Sequence, residues 1–296
     1  MFRASLVALT AASSMFIYAS APSHADTAHA EHGSTNVSDA VIAGERSTLS
    51  KTAIEGGFGP QSPRDISNPV GTNKIVFGDA PNRSAMNLCN IHFHEAAEHR
   101  GGQFTKFAGN GDGHGYGTGY KYTGTLSSAE LKPLTEKVGA TKHGELKPGD
   151  TIEIHYVHST ARVNPGPSLG ACLSKENGNP QLRVETVVAV LVNDRKAADF
   201  TKMSKIAVVN GYNAVPNLPE NLGKPVTYAG STTGPSYNLK PSGLQVTWNV
   251  RPNVIKVDIL TLAQWLKSNP FKEDHAHGVR NLVIDPALLA PIKAAK

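Results

Sequence analysis

Val184 to Val192 is an almost unbroken apolar run, interrupted only by Glu185 and Thr186. A run of that length and β-branched content reads as a strand covered on both faces, so the chain must build a sheet with packed material on either side. Other segments reinforce this. Asn90-Ile91-His92-Phe93-His94 and Thr151 to His158 alternate polar and apolar residues, and Gln245 to Val250 and Val254 to Ile259 read as two further strands around an Arg251-Pro252-Asn253 turn. The 28 Gly and 19 Pro favour many turns between short strands. Helix signals are few. Ser127-Ser128-Ala129-Glu130 resembles a capping box opening a short turn, and Asp258 to Ser268 carries Ile259, Leu260, Leu262, Ala263 and Leu266 at helical spacing before Pro270. Gly101 to Gly124 is glycine-rich but lacks the Lys-Ser/Thr ending of a phosphate-cradling loop, and reads as a long surface loop. The reading is a mainly β, single-domain protein with no internal repeat.

Arg3, the nearly uncharged stretch Ala4 to Ala21 and the small residues of Ser23-His24-Ala25 read as an export signal over residues 1–25, cleaved after Ala25. Residues 26–52, rich in Ala, Ser, Thr and His without a clear period, read as a flexible lead-in, and no later segment has the length and apolarity to span a membrane. The domain then runs over 53–292. Cys89 and Cys172 are the two cysteines, and an isolated pair in an oxidising compartment tends to be joined; unpaired core thiols are the alternative. The formal charge of +5 comes without any basic run interleaved with aromatics, which argues against nucleic-acid binding.

Chemistry concentrates on two strands. Residues two apart share a face, so His92 and His94 can reach one ion. Glu153 and His155 share a face of a second strand. Three neutral imidazoles leave a bound ion its full charge and an open fourth position, where a coordinated water becomes acidic. Glu153 is placed to accept the second ring N–H of a ligand histidine. By the same parity His158 faces away from His155, and Cys89 faces away from His92. His99 as a fourth protein ligand would close the site.

These residues resemble a known family. Gln61-Ser62-Pro63-Arg64-Asp65-Ile66, the His-Phe-His strand, the Glu-x-His-x-x-His strand, and Gly230-Ser231-Thr232-Thr233-Gly234-Pro235 before Val246-Thr247-Trp248 follow the order of the alpha-class carbonic anhydrases. The wording of Met86 to His94, Glu98-His99, Gly170-Ala171-Cys172-Leu173 and Glu273 to Arg280 is closer to the delta class. The resemblance spans about residues 58 to 288 and implies an alpha-carbonic-anhydrase-like fold, with a central twisted, mostly antiparallel sheet and zinc at the bottom of a cone. It implies reversible hydration of carbon dioxide to bicarbonate through zinc-bound hydroxide, and the export signal adds a periplasmic or secreted location without a membrane partner after its removal. Other divalent ions such as cobalt suit the same donors. It further implies that Thr232 accepts a hydrogen bond from that hydroxide and donates to a glutamate, for which Glu98 is the match. The substrate wall would come from Val184 to Val192. Two departures stand out. Only three residues separate Glu98 from His94, far fewer than in the alpha class. The segment between Gln61 and His92 has no counterpart of the one carrying the alpha-class proton-shuttle histidine, which leaves His99, His114 and His143 as candidates.

Two alternatives stay open on the residues alone. His92-x-His94-x-x-x-Glu98 also matches the first cupin motif, in which the Glu is itself a ligand to manganese or iron in an oxygenase or isomerase. A carbonic-anhydrase-like shell without catalysis, serving as a binding module, is the other.

Overall fold

The computed structural model describes residues 36–232 and 236–292. The expected export signal lies outside them, as do Thr233, Gly234 and Pro235. In chain order the elements are α1 (Asp39–Glu55), β1 (Asn87–Glu95), β2 (Phe104–Phe107), β3 (Tyr120–Tyr122), β4 (Val138–Thr141), β5 (Gly144–Leu146), β6 (Thr151–Ser159), β7 (Leu182–Val192), α2 (Phe200–Met203), β8 (Ala207–Val209), β9 (Tyr212–Ala214), β10 (Val226–Ser231), β11 (Gln245–Val250), β12 (Ile255–Asp258) and α3 (Ile259–Lys267).

The apolar run becomes β7, the strand on which the sheet is organised. The order is β1-β6-β7-β11-β10, with β12 also on β7. Pairs β1/β6, β6/β7 and β10/β11 are antiparallel, whereas β11 and β12 both run parallel to β7, so the sheet is mixed. The two strands flanking Arg251-Pro252-Asn253 do not fold back on each other. They lie end to end along one edge of β7, β11 beside residues 182–186 and β12 beside 189–192.

Period two on the central strands divides the core. Ile91, Phe93, Ile154, Val187, Ala189 and Leu191 pack with Phe200, Leu262 and Trp265 of the helices on one face. Val157, Val184, Val188, Val246 and Trp248 form an apolar cluster on the other. The helix expected over 258–268 is α3. Asp258 caps it by accepting from Leu260 N at 3.1 Å, and Ile259, Leu262, Ala263 and Trp265 are buried. The capping box at Ser127 forms reciprocally, with Ser127 N on Glu130 Oε2 at 2.7 Å and Glu130 N on Ser127 Oγ at 3.3 Å, but it closes only a turn.

Three expectations are corrected. From Asp39 onward the presumed flexible lead-in is helix α1, capped by Ser38, with Ile42, Leu49 and Ala53 buried and the helix packed on Val283, Leu288 and Leu289. The glycine-rich stretch is not all loop, because β2 and β3 pair within it. Its connecting turn lies flat on Gly278-Val279, and a Cβ on Gly115 (φ +91°) would meet Val279 O at 2.6 Å. Finally, the β1/β6 register shifts between Leu88 and Asn90. This irregularity upsets simple alternation, and Cys89 packs with Val157 in the cluster on the His155 face rather than on the face opposite His92.

Cys89 and Cys172 form a disulfide across 83 residues of sequence. Replacing both by alanine is expected to lower the unfolding free energy by about 4 kcal/mol in the chain-entropy model. Urea unfolding of the metal-free protein checks this, and an unchanged midpoint would mean that the loop is held without the bond.

Candidate metal centre

The ladder of β1 and β6 sets His92 directly opposite His155 and His94 opposite Glu153. Directly opposed residues project on the same side of the sheet, with Cβ atoms about 5 Å apart. The ligand nitrogens of His92, His94 and His155 accordingly lie within 4.8 Å of one another.

Hydrogen bonds fix which nitrogen of each ring is free. Asn90 donates through Nδ2 to Gly166 O at 3.1 Å, so its Oδ1 must be the acceptor for His92 Nδ1–H at 2.6 Å. His94 Nδ1 faces the carbonyl of Gly278 at 2.9 Å and must donate to it. His155 Nε2 donates to Glu153 Oε1 at 2.7 Å. In the neutral tautomers the free atoms are then Nε2 of His92, Nε2 of His94 and Nδ1 of His155. His155 Nδ1 and His92 Nε2 face each other at 3.2 Å. In these tautomers neither carries a proton, so each presents a lone pair to the other. Two nitrogens bound tetrahedrally at 2.0–2.1 Å to one ion would be roughly 3.3 Å apart. The donors therefore fit a zinc-type ion.

Burial pushes His92 well below the ordinary histidine range, and repulsion from His155, His94 and His277 adds to it. Burial also lowers His94 to about 4, against the attraction of Glu98. Both rings are thus neutral and ready to ligate at pH 7. Below pH ~6.5 the unfolded chain takes up protons that these two rings refuse, so the metal-free protein is expected to lose stability as the pH falls through that point. Ring NMR of metal-free protein should show neither His92 nor His94 titrating between pH 6 and 8; a midpoint near 6.5 for either would contradict this.

Glu153 is fully buried. Burial alone would raise its pKa, but His99 and the hydrogen bonds from His155 and His99 outweigh it and hold the carboxyl well below the usual range. His99 donates to it from N at 3.0 Å and from Nδ1 at 2.6 Å, while His99 Nε2 meets Tyr228 Oη at 2.6 Å. Both ring nitrogens of His99 are thus engaged away from His92 and His94. His99, Glu153 and His155 make a second close group of potential ligand atoms, while His158 lies on the other face of β6, buried, with Nδ1 on Tyr156 O at 3.0 Å, and belongs to neither group among the described residues.

Glu98 is buried, and it too stands outside those clusters. Its Oε1 accepts from Arg280 N at 2.7 Å and lies 3.5 Å from His94 Nδ1. Thr232 is buried at the end of β10, following Ser231, whose hydroxyl donates to Gln61 Oε1 at 3.0 Å. No hydrogen bond joins Thr232 to Glu98 among the described residues. Gln61 is itself buried and also accepts from Ser242 N at 3.0 Å, so the Gln-Ser-Pro block secures the chain entering Thr232.

His277 has no assigned role in the sequence reading, although His275-Ala276-His277 repeats the two-apart spacing. Its ring lies 5.7 Å from His92 and 5.9 Å from His94, centroid to centroid. Main-chain bonds from His277 N to Phe93 O and from Glu95 N to His277 O hold it there at 2.9 and 2.8 Å. Burial lowers its pKa, but the hydrogen bond from Nε2 to Glu273 Oε2 at 2.6 Å and the charge of Glu273 raise it above the ordinary value overall. A cavity of about 300 Å³ opens beside His94, Glu98 and His277, with His114, Tyr116 and Tyr237 also on its wall. Trp248 packs edge-on against His155 at 5.0 Å.

A family model described as delta carbonic anhydrase matches residues 83–261, more than half of the chain. Solved structures similar to it include an alpha-carbonic anhydrase from Thermovibrio ammonificans in complex with sulfanilamide, at 17% identity, covering 75% of this chain and 84% of that one, with a TM-score of 0.27. The Photobacterium profundum alpha-carbonic anhydrase is 15% identical, with coverage of 79% and 89% and a TM-score of 0.26. Carbonic anhydrase Cah3 from Chlamydomonas reinhardtii in complex with acetazolamide is 19% identical, with coverage of 76% and 87% and a TM-score of 0.26. No curated protein matches it.

Proposed function

The chain belongs to the delta carbonic anhydrase family, and from that membership we propose that it interconverts carbon dioxide and bicarbonate at a zinc ion held by His92, His94 and His155. The observation that carries this reading is the 3.2 Å approach of two proton-free nitrogens, His155 Nδ1 and His92 Nε2. When bound, zinc would lower the pKa of a coordinated water to about 7, making a nucleophile available at neutral pH. The chain's own residues supply the rest. Asn90, Gly278 and Glu153 hold the three tautomers. Trp248, Val184 and Val188 back the histidine face with buried apolar packing. Glu98, 3.5 Å from His94 Nδ1, and Thr232, which is buried after β10, are the residues we assign to orienting the attack. The proton released by hydration leaves through the cavity on whose wall His114 lies; His143 stands behind, its ring 5.6 Å from that of His114. Cupin chemistry would need Glu98 as a ligand, and its engagement with Arg280 N speaks against that.

The disulfide fits an oxidising compartment, and no helix among the described residues is long and apolar enough to cross a membrane. With the leader-like segment, the bond supports export to the periplasm or beyond.

The test is metal content and carbon dioxide hydration measured on one purified sample. Stoichiometric zinc with hydration activity is the expected result; protein that holds zinc and does not hydrate carbon dioxide would be a binding module. Within an active enzyme, Thr232→Ala and Glu98→Gln should each keep the metal and slow hydration by ~10²-fold. If the two act as a unit, the double variant should be little slower than either. Loss of metal on Glu98→Gln would return the cupin-type ligand set.

A further inference from the structure

The Cys89–Cys172 bond lies beside the metal ligands. The connection from β6 to β7, residues 160–181, crosses β1, and between Arg162 and Asn179 only Gly166 and Cys172 are buried. Both are fastened to the same short piece of β1. Cys172 is bonded to Cys89. Gly166 N donates to Cys89 O at 3.0 Å, and Gly166 O accepts from Asn90 Nδ2 at 3.1 Å. Asn90 in turn receives the Nδ1 proton of His92 at 2.6 Å through its other amide atom.

The consequences run along this chain of contacts. An asparagine amide is nearly symmetric in shape, so its orientation is decided by hydrogen bonds. The Gly166 carbonyl admits only the NH₂ end, which turns Oδ1 toward His92. That in turn places the His92 proton on Nδ1 and leaves Nε2 bare. Without Gly166 the amide is free to flip, present its NH₂ group to His92 and favour the other tautomer, with Nε2 protonated and unable to ligate. The Gly166 carbonyl sits on an exposed crossover, and the covalent bond six residues later limits how far it can move from Asn90.

We propose that the disulfide, acting through Gly166 and Asn90, sets the tautomer of His92 and so couples oxidation of the cysteine pair to metal retention, with Asn90 as the positioning residue. This rests on the metal-site reading above. Opening the bond takes two electrons and two protons from an external dithiol, which is itself oxidised to a disulfide; it gives two thiols and releases the crossover.

The experiment measures zinc affinity of the full folded chain by competition with a chromophoric chelator, well below the unfolding temperature. Four proteins complete the cycle: wild type, Asn90→Ala, Cys89→Ala/Cys172→Ala, and the triple variant. Loss of the bond, or of Asn90, is expected to weaken zinc binding 10- to 100-fold, as for other partners that orient a metal-bound histidine. The triple variant should be little weaker than either, because both changes break one path. Asn90→Asp, which keeps an oxygen toward His92, should restore part of the affinity in the alanine-pair background. A bond that serves only global stability would lower the unfolding midpoint and leave zinc affinity unchanged, which would overturn the proposal; so would additive losses in the triple variant. Should the alanine pair fail to fold, Asn90→Ala with the disulfide intact decides alone: full zinc affinity in that variant defeats the proposal. Absence of zinc binding by the wild type would instead defeat the metal-site reading.

Discussion

Alanine at His92, at His94 or at His155 is expected to leave the protein without stoichiometric metal and without measurable hydration of carbon dioxide. Each change removes one of the three donors of the His92, His94 and His155 group, and two imidazoles do not retain zinc against solvent and buffer as three do. His158→Ala supplies the control. It lies three residues from His155 along β6, on the opposite face, and should keep both metal and activity at some cost to stability, since His158 is buried. Elemental analysis after dialysis, with hydration assayed on the same samples, separates the outcomes. Zinc kept by His155→Ala and lost by His158→Ala would mean that the site is not the one built from the β1/β6 register.

Removing the carboxylate of Glu153 should be the most damaging single change outside the ligands. It receives three hydrogen bonds, from His155 Nε2, His99 Nδ1 and His99 N. Glu153→Ala strands all three donors in the interior, and breaking a buried charged network in this way costs roughly 3–5 kcal/mol. Glu153→Gln keeps the shape and one acceptor, and should be milder in stability while still weakening zinc 10- to 100-fold, because a neutral amide holds the His155 proton less firmly. Urea unfolding of metal-free protein reads the first effect and chelator competition the second. The pH dependence carries a sign. A carboxyl held below its unfolded value contributes stability above pH ~4.3 that is lost as the pH falls through the folded value. Glu153→Gln should therefore show a shallower loss of stability on the acid side.

What the amino-acid sequence reveals here is what period two reveals. β1, β6, β7 and β11 could be read from alternation or from an apolar run, and the shared face of His92 with His94, and of Glu153 with His155, follows from the same period, whereas the β1/β6 register sets the two pairs opposite each other. α3 could be read because its cap, its spacing and its stop all agree. α1 could not, because its buried positions, Ile42, Leu49 and Ala53, are sparse and it is otherwise polar and rich in hydroxyl side chains. Its apolar partners lie more than two hundred residues away in sequence, and tertiary packing rather than local pattern stabilises it. The face taken by Cys89 was hidden by one register shift, which no count along a single strand reveals. The partners of the ligand histidines divide the same way. Glu153 is two residues from His155 and was legible; Gly278 and Gly166 are distant carbonyls and carry no side-chain signal at all. His277 reaches the centre through main-chain bonds to β1, so only its spacing from His275 marked it.

The seating of α1 on Val283, Leu288 and Leu289 sets an order of events for a chain made from its N-terminus. The helix is the first described element to emerge from a ribosome or a translocation pore, and the residues that bury its apolar side follow every strand of the sheet. At 17 residues and with few apolar positions it has little to hold it as an isolated helix. It must therefore wait through the synthesis of the whole sheet, and the cavity between it and Arg280 can close only when the C-terminal segment arrives. The seating of α1 thus follows the sheet, and a chain released just before Val283 would carry its sheet and its ligand histidines but leave the helix without its apolar partners.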